Sequence, residues 1–437
     1  MFRYYLALGF RSLRRNPVLT TLMVLTLSVG VAASMTTLTL LYGMSGDPIP
    51  HKSDRLVYVR LDNRPADSRS NNPEPPEQIT HRDAVALWDA GKAVRQAPIY
   101  GVSPAVDSGR EDLPPFFVDG IATGRDFFAM FDVPFLYGQA WSAEDDQRGA
   151  SVVVLGRSLS ERVFGEGTDP VGKGIRLGER EYTVAGVVDT WNPVPKFYRL
   201  VGSQSFDTSE EVFVPFRTAV SAEMGINGNL DCSQAPPEPG FRGYVLSECV
   251  WVQYWAELAS ADALRDYLDY LDAYTNEQRA LNRFPRDNNN RAHTVREWLD
   301  VRGVVSDDTR TATWLSLGFL LVCLVNTAGL LLAKFSARPG EIGVRRALGA
   351  SRREIFTQYL TEAGVIGLVG AAAGTALAAG ALAWIRKFDE NLDLVARLDL
   401  PMLAAAIVLS VLTALLAGLL PTWRACQVVP ALQLKSQ

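Results

Sequence analysis

Three histidines, four cysteines and no motif that groups them bound the chemistry this chain can do alone. His51, His81 and His293 lie far apart, and neither His-Glu-x-x-His nor Cys-x-x-Cys occurs, so the spacings that hold zinc are missing. There is no Gly-x-x-x-x-Gly-Lys-Ser/Thr loop to cradle phosphate. The glycine-rich run Gly165–Gly174 reads as a turn between strands. No Gly-x-Ser-x-Gly elbow supports a serine nucleophile. Cys232 and Cys249 are expected to form a bridge if their compartment is oxidising, the alternative being two free thiols. Cys323 falls in an apolar stretch and reads as small filler. An enzyme is therefore the weakest reading of these residues.

The most informative polar segment runs from Gly340 to Ile355. Ile342, Arg345 and Arg346 fit one helix that Gly349 ends, and Ser351 with Glu354 forms the capping box of a second. Glu341, Ile342, Arg345, Arg346, Leu348, Arg352 and Arg353 would then make a compact basic knob suited to docking. The plain alternative is an ordinary basic loop.

What positions that knob is a set of four apolar stretches, Val18–Tyr42, Leu315–Phe335, Leu360–Ile385 and Met402–Leu420. Each holds 19 to 26 residues, enough at about 1.5 Å per residue to reach across a hydrocarbon core of about 30 Å. Lys334 and Glu362 are the charges inside them, both near an end. The fold class expected is a multi-pass membrane protein with four transmembrane helices and a large α+β domain between the first two. The Gly364, Gly367, Gly370 and Gly374 series in the third helix predicts close helix packing, and Pro421 is expected to end the fourth.

Charge sets the orientation. The lead carries Arg3, Arg11, Arg14 and Arg15 without an acid, and the 336–359 loop and the tail are also rich in Lys and Arg. Excess basic residues mark the cytoplasmic side. The expected order is a cytoplasmic amphipathic helix at 1–17, the first span at 18–42, and a two-lobed extracytoplasmic domain at 43–310. A stalk and second span follow at 311–335, a cytoplasmic loop at 336–359 and the third span at 360–385. An outer hairpin at 386–400, the fourth span at 401–421 and a cytoplasmic tail at 422–437 complete it.

The 43–310 segment holds 28 basic and 41 acidic residues, a net of −13, which argues against nucleic acid as its partner. Alternation predicts a strand over Arg55–Leu61, with Leu56, Tyr58 and Arg60 on one face and Val57, Val59 and Leu61 on the other. Thr80 is the expected N-cap of a helix to about Ala90. Strands are expected at Phe116–Gly120, Ser151–Leu155, Ile175–Leu177, Glu181–Val188, Glu211–Pro215 and Tyr244–Tyr254. A short helix through Val163 is expected to be capped by Ser158, with Glu161 completing the capping box, and a second helix is expected from Ser260 to about Tyr274. The Gly/Pro-rich run 219–243 reads as an inserted loop. Asp307–Thr313 leads into the second span as a rigid stalk.

The Glu341–Arg353 stretch after the second span resembles the signature of the MacB/FtsX-type permeases of ABC transporters. Asp169-Pro-Val-Gly-Lys173, Tyr182-Thr-Val-Ala-Gly-Val-Val188 and Leu8-Gly-Phe-Arg-Ser-Leu-Arg-Arg-Asn-Pro17 are similar to other parts of that family. The resemblance implies a non-catalytic permease subunit of a bacterial inner membrane, paired with a second permease copy or paralogue. It implies docking of a separate ABC-class ATPase, which binds ATP and Mg, onto the 336–359 loop. It further implies mechanotransmission to the outer domain for efflux or export, in some members with a periplasmic adaptor. Three features depart from the family pattern: the sequence shows no fused nucleotide-binding domain, Pro339 precedes the signature, and the 219–243 insert has no matching counterpart. The alternative function is a membrane-anchored sensor or scaffold that binds an outer partner without ATP-driven transport.

Overall fold

A computed structural model describes residues 16–66, 73–207, 209–336, 344, 348–388, 394–396 and 400–426. The chain divides into two compact units, one of Met1–Ser45 with Val305–Gln437 and the other of Gly46–Val304. The expected helix over 1–17 lies almost wholly outside the described residues.

Among the described residues the first unit has four long helices: α1 (Pro17–Met44), α2 (Asp307–Ser336), α3 (Arg352–Phe388) and α4 (Leu400–Cys426). Pro17 sits at the first helical position of α1, where its missing N–H costs nothing. Asp307–Thr313 is continuous with the apolar part of α2. Helices α1, α2 and α3 are long and apolar enough to cross a bilayer. In α4 the apolar stretch among the described residues is Val411–Trp423. Pro421 does not end α4 but lies inside it, and the helix continues to Cys426. One lost backbone bond is tolerated where packed neighbours hold the helix on both sides. Hydroxyls in α1 and α2 return their protons to the helix's own carbonyls. Ser28 donates to Val24 O at 2.7 Å and Thr327 to Cys323 O at 2.8 Å, as a setting without water demands.

The second unit is one hydrogen-bonded system of thirteen strands. They are β1 (Leu56–Arg60), β2 (Ile79–Thr80), β3 (Arg95–Val102), β4 (Ala105–Asp107), β5 (Phe116–Phe117), β6 (Gly120–Thr123) and β7 (Phe135–Gly138). After these come β8 (Val152–Gly156), β9 (Gly174–Leu177), β10 (Arg180–Val188), β11 (Val212–Pro215), β12 (Val250–Glu257) and β13 (Arg291–Thr294). The order is β13-β1-β12-β3-β6-β11-β8-β10-β9-β4-β5, with β2 on β12 and β7 on β10. The pairs β8–β10 and β6–β11 are parallel.

Both faces of the central strands are buried. Val57, Val59 and Leu61 enter one core with Leu155, Val212 and Val214. Leu56 and Tyr58 enter the other with Val154 and Phe213, so the alternation read from Arg55–Leu61 sorts each side chain to its face. The second core is aromatic. Tyr58 stacks on Trp298 with centroids 3.8 Å apart and meets Trp255 edge-on at 5.2 Å. In place of the expected strand-rich and inserted lobes, Gly46–Val304 is one compact unit with a core on each face of one continuous sheet. The expected insert does not stand apart, because Met224, Ile226, Leu230 and Phe241 pack on the first core. Cys232 and Cys249 are joined by a disulfide.

Local readings differ in four places. Tyr244–Leu246 belongs to a helix, Phe241–Leu246, and the strand starts only at Val250. The expected Phe116–Gly120 strand is split between β5 and β6. Ser158 does not cap its helix, which starts at Arg157 after Gly156, and Glu161 instead binds Arg157 at 2.8 Å. The helix after Ser260 runs on to Ala280. Thr80 does cap its helix, accepting from Asp83 N at 3.1 Å.

His81, in the first turn of that helix, stacks between Phe216 and Trp251 with ring centroids 5.9 Å from each. Burial, with Arg217 nearby, pushes its pKa down from 6.5 to about 4. The unfolded chain therefore binds a proton below pH 6.5 that the folded unit refuses until about pH 4. Stability is full above 6.5 and falls as pH drops through that window. At pH 5 the loss is about 2 kcal/mol. Denaturant melts of wild type and His81→Phe at pH 7 and pH 5 check this: the variant is expected to lose most of that difference, and an equal acid loss in both would refute it.

Candidate functional site

The site is built around the ends of α2 and α3 that flank the 337–347 connector. At the end of α2, Lys334 Nζ lies 2.6 Å from Glu362 Oε1 of α3, with side chains 1% and 5% exposed. The separation is that of an ion pair, although the ammonium does not meet hydrogen-bond angles. Next to it the rings of Phe335 and Tyr359 lie 4.4 Å apart. These residues sit in a core with Met23, Leu27, Ile355 and Ala414, drawn from all four helices. The two ends that frame the connector are thus clamped to each other by charge and by packing.

The start of α3 is fixed locally. Glu354 N donates to Ser351 Oγ at 3.2 Å, and Ser351 N donates to Glu354 Oε2 at 2.8 Å. This is the expected capping box, but the helix it opens is α3 itself. Leu348 N donates to Val344 O at 3.0 Å, and Gly349 follows with φ +100°. That positive φ is one that glycine adopts without strain.

Glu341, Ile342, Arg345 and Arg346 lie outside the described residues. Leu348 is 83% exposed, and Arg352 and Arg353 are exposed in the first turn of α3. The described residues that follow the connector therefore present one exposed leucine and two exposed arginines.

The glycine series faces α1 and α4. A Cβ on Gly374 would stand 2.9 Å from Ser28 O, and one on Gly370 would stand 3.1 Å from Leu27 Cβ. Ser28 Oγ also donates to Gly370 O at 3.2 Å. Gly364 is looser, its nearest neighbour on α4 being Leu415 at 3.6 Å, and Gly367 is buried. Gly374→Ala is expected to destabilise the helical unit by about 1–3 kcal/mol because backbone must shift, while Gly364→Ala is tolerated. Thermal unfolding of the purified chain ranks the two, and equal melting points would remove the packing role from Gly374.

Sequence reasoning noticed Lys334 and Glu362 only as intruders and did not pair them. The available signal was their mirrored placement on either side of one loop. It also missed contacts between α1 and α2, where Ser34 Oγ donates to Ser316 O at 3.0 Å and Gly30 faces Cys323.

In the outer unit the strongest buried charge cluster is Glu210 between Lys196 at 2.9 Å and Arg199 at 3.3 Å. Burial acts to raise the Glu210 pKa, and the two cations overcome it and hold it low. Arg199 also reaches Gly120 O and Asn227 O, so this cluster ties strands to a loop. Among the described residues no group of three or more His, Cys, Asp or Glu could hold a metal.

Comparison with known proteins sorts the chain into two matching regions. Residues 20–267 match the model for a MacB-like periplasmic core domain, and residues 314–430 match that for an FtsX-like permease C-terminal region. The pyoverdine export ATP-binding/permease protein PvdT of Pseudomonas entomophila is 26% identical over 84% of this chain and 50% of its own length. The macrolide export ATP-binding/permease protein MacB of Azoarcus sp. is 26% identical over 98% of this chain and 59% of its own. The chain thus spans between half and three fifths of the length of these relatives. The periplasmic region of MacB from Actinobacillus actinomycetemcomitans aligns at 15% identity over 59% of this chain and 96% of that one, with a TM-score of 0.36.

Proposed function

The chain belongs to the family that joins a MacB-like periplasmic core domain to an FtsX-like permease C-terminal region, and from that premise we propose that it is the permease subunit of an export system driven by a separate ABC-class ATPase. The observation that carries the reading is the succession of both regions, in order, along one chain whose longest helices are apolar enough for a bilayer.

In this reading the chain itself is non-catalytic. ATP and Mg are bound by the partner ATPase, which docks on the connector around Glu341–Arg353. A bacterial inner membrane holds four crossings, α4 being the fourth, with both termini and the connector in the cytoplasm. The outer unit works in the periplasm, paired through the membrane helices with a second permease subunit and in reach of an adaptor. The clamp of Lys334–Glu362 and Phe335–Tyr359 supports a mechanical role, because a push on the connector is passed to α2 and α3 together. Helix α2 continues as one body through Asp307, which suits motion carried outward rather than substrate passed through a pore.

Crosslinking in native membranes, followed by identification of the captured chains, tests this. The expected capture is an ATPase of the ABC class together with a second permease. Capture of an outer partner with no ATPase would replace the proposal with a membrane-anchored scaffold.

A further inference from the structure

Tyr182 of β10 is 1% exposed, and its hydroxyl meets no donor or acceptor among the described residues. A buried hydroxyl normally finds a partner. Tyr182 is one of the residues around a half-open cavity of 740 Å³ bordered by Ser103–Pro104, the Leu177–Tyr182 hairpin and the Ala222–Asn227 segment. That size falls within the range of small-molecule sites.

Both walls are held in place. Asn227 N donates to Gly101 O at 2.8 Å, its side chain donates to Asp119 at 2.9 Å, and its carbonyl accepts from Arg199 at 2.9 Å. On the opposite side β9 and β10 pair through Arg180 and Leu177, and Gly178 N donates to Ala105 O at 2.8 Å. The cavity is preformed, so a ligand would not have to order it.

Its lining combines two kinds of surface. Leu177, Met224 and Ile226 supply an apolar side that is continuous with the first core. At the rim Arg180 donates to Ser221 O at 3.2 Å and has no carboxylate partner among the described residues. A guanidinium fork is matched to a carboxylate. Glu179 lies beside it, and the 43–310 segment is acidic overall, so a polyanion is repelled where a single carboxylate is accepted.

We propose that this cavity binds a small amphipathic carboxylate, with its apolar body on Leu177, Met224 and Ile226, its carboxylate on Arg180 and an oxygen accepting from the Tyr182 hydroxyl. The site lies within the outer unit and does not depend on the ATPase-docking reading.

The test uses the full chain in lipid nanodiscs with benzophenone-4-carboxylate as photoprobe and its neutral carboxamide as control. Labelled peptides are mapped by mass spectrometry. The carboxylate is expected to label Leu177–Tyr182 and Ala222–Asn227 saturably. Arg180→Gln is expected to weaken the carboxylate about tenfold and leave the carboxamide unchanged. Tyr182→Phe is expected to weaken both while leaving the melting temperature and the Cys232–Cys249 bridge intact. Ile226→Trp, which fills the space, is expected to abolish labelling and covers the case in which Arg180→Gln fails to fold. Labelling that is unsaturable, spread over the unit, or indifferent to Ile226→Trp would overturn the proposal. So would equal labelling by carboxylate and carboxamide.

Discussion

Replacing Arg345 and Arg346 together by glutamate is expected to weaken docking of the partner ATPase on the order of 100-fold. ATP hydrolysis should then cease to respond to the permease, while the outer unit stays folded. The reasoning is electrostatic. Two cations on a basic connector become two anions, so each partner carboxylate that once attracted them now repels them. The effect should weaken at high salt, because exposed charges are screened over about 10 Å at 0.1 M. Titration of ATPase stimulation against permease concentration at two ionic strengths measures it. The His81-dependent acid response of the outer unit supplies an internal control for folding. Stimulation that is unchanged in the double variant would remove these arginines from the docking surface.

The second large effect lies in the clamp. Lys334→Met is expected to cost about 3–5 kcal/mol, because it removes the cation that lies 2.6 Å from the buried Glu362 carboxylate. Adding Glu362→Met should recover most of that loss, since a buried ion pair often exchanges for apolar packing at little net cost. Denaturation of the purified single and double variants gives the coupling energy directly. If the single and double variants are equally stable, the pair is only a near approach and the clamp rests on Phe335 and Tyr359. If stability recovers in the double variant but ATPase coupling does not, the charge itself serves transmission.

Much of the fold was legible because its signals were periodic. The alternation in Arg55–Leu61 assigned its side chains to two faces, and both faces proved to be buried cores. The Thr80 cap and the Ser351–Glu354 box were legible because capping needs only neighbours in sequence. Tyr244–Leu246 was misread because a short apolar run has no period of its own. The helix there starts from Gly240 at φ +86°, a backbone feature that composition does not reveal. Pro421 was misread because its penalty was judged without its neighbours, and packing overrode it. The Lys334–Glu362 pair depends on how α2 and α3 meet, which no local pattern records. The same holds for Gly374, whose spacing suggested packing but whose partner Ser28 lies on the other side of the outer domain in sequence.

One consequence concerns synthesis. Strand β1 lies between β12 and β13, pairing Val57 with Ala256 and with Thr294. A growing chain therefore emerges with Leu56–Arg60 long before either neighbour has been made. Until residue 257 arrives both of its backbone edges are open to foreign strands, and one stays open until residue 294. Such distant pairing slows folding. The nascent outer unit should thus depend on chaperone shielding through most of its translation, and a truncation before β12 should yield an aggregating chain rather than a smaller folded one.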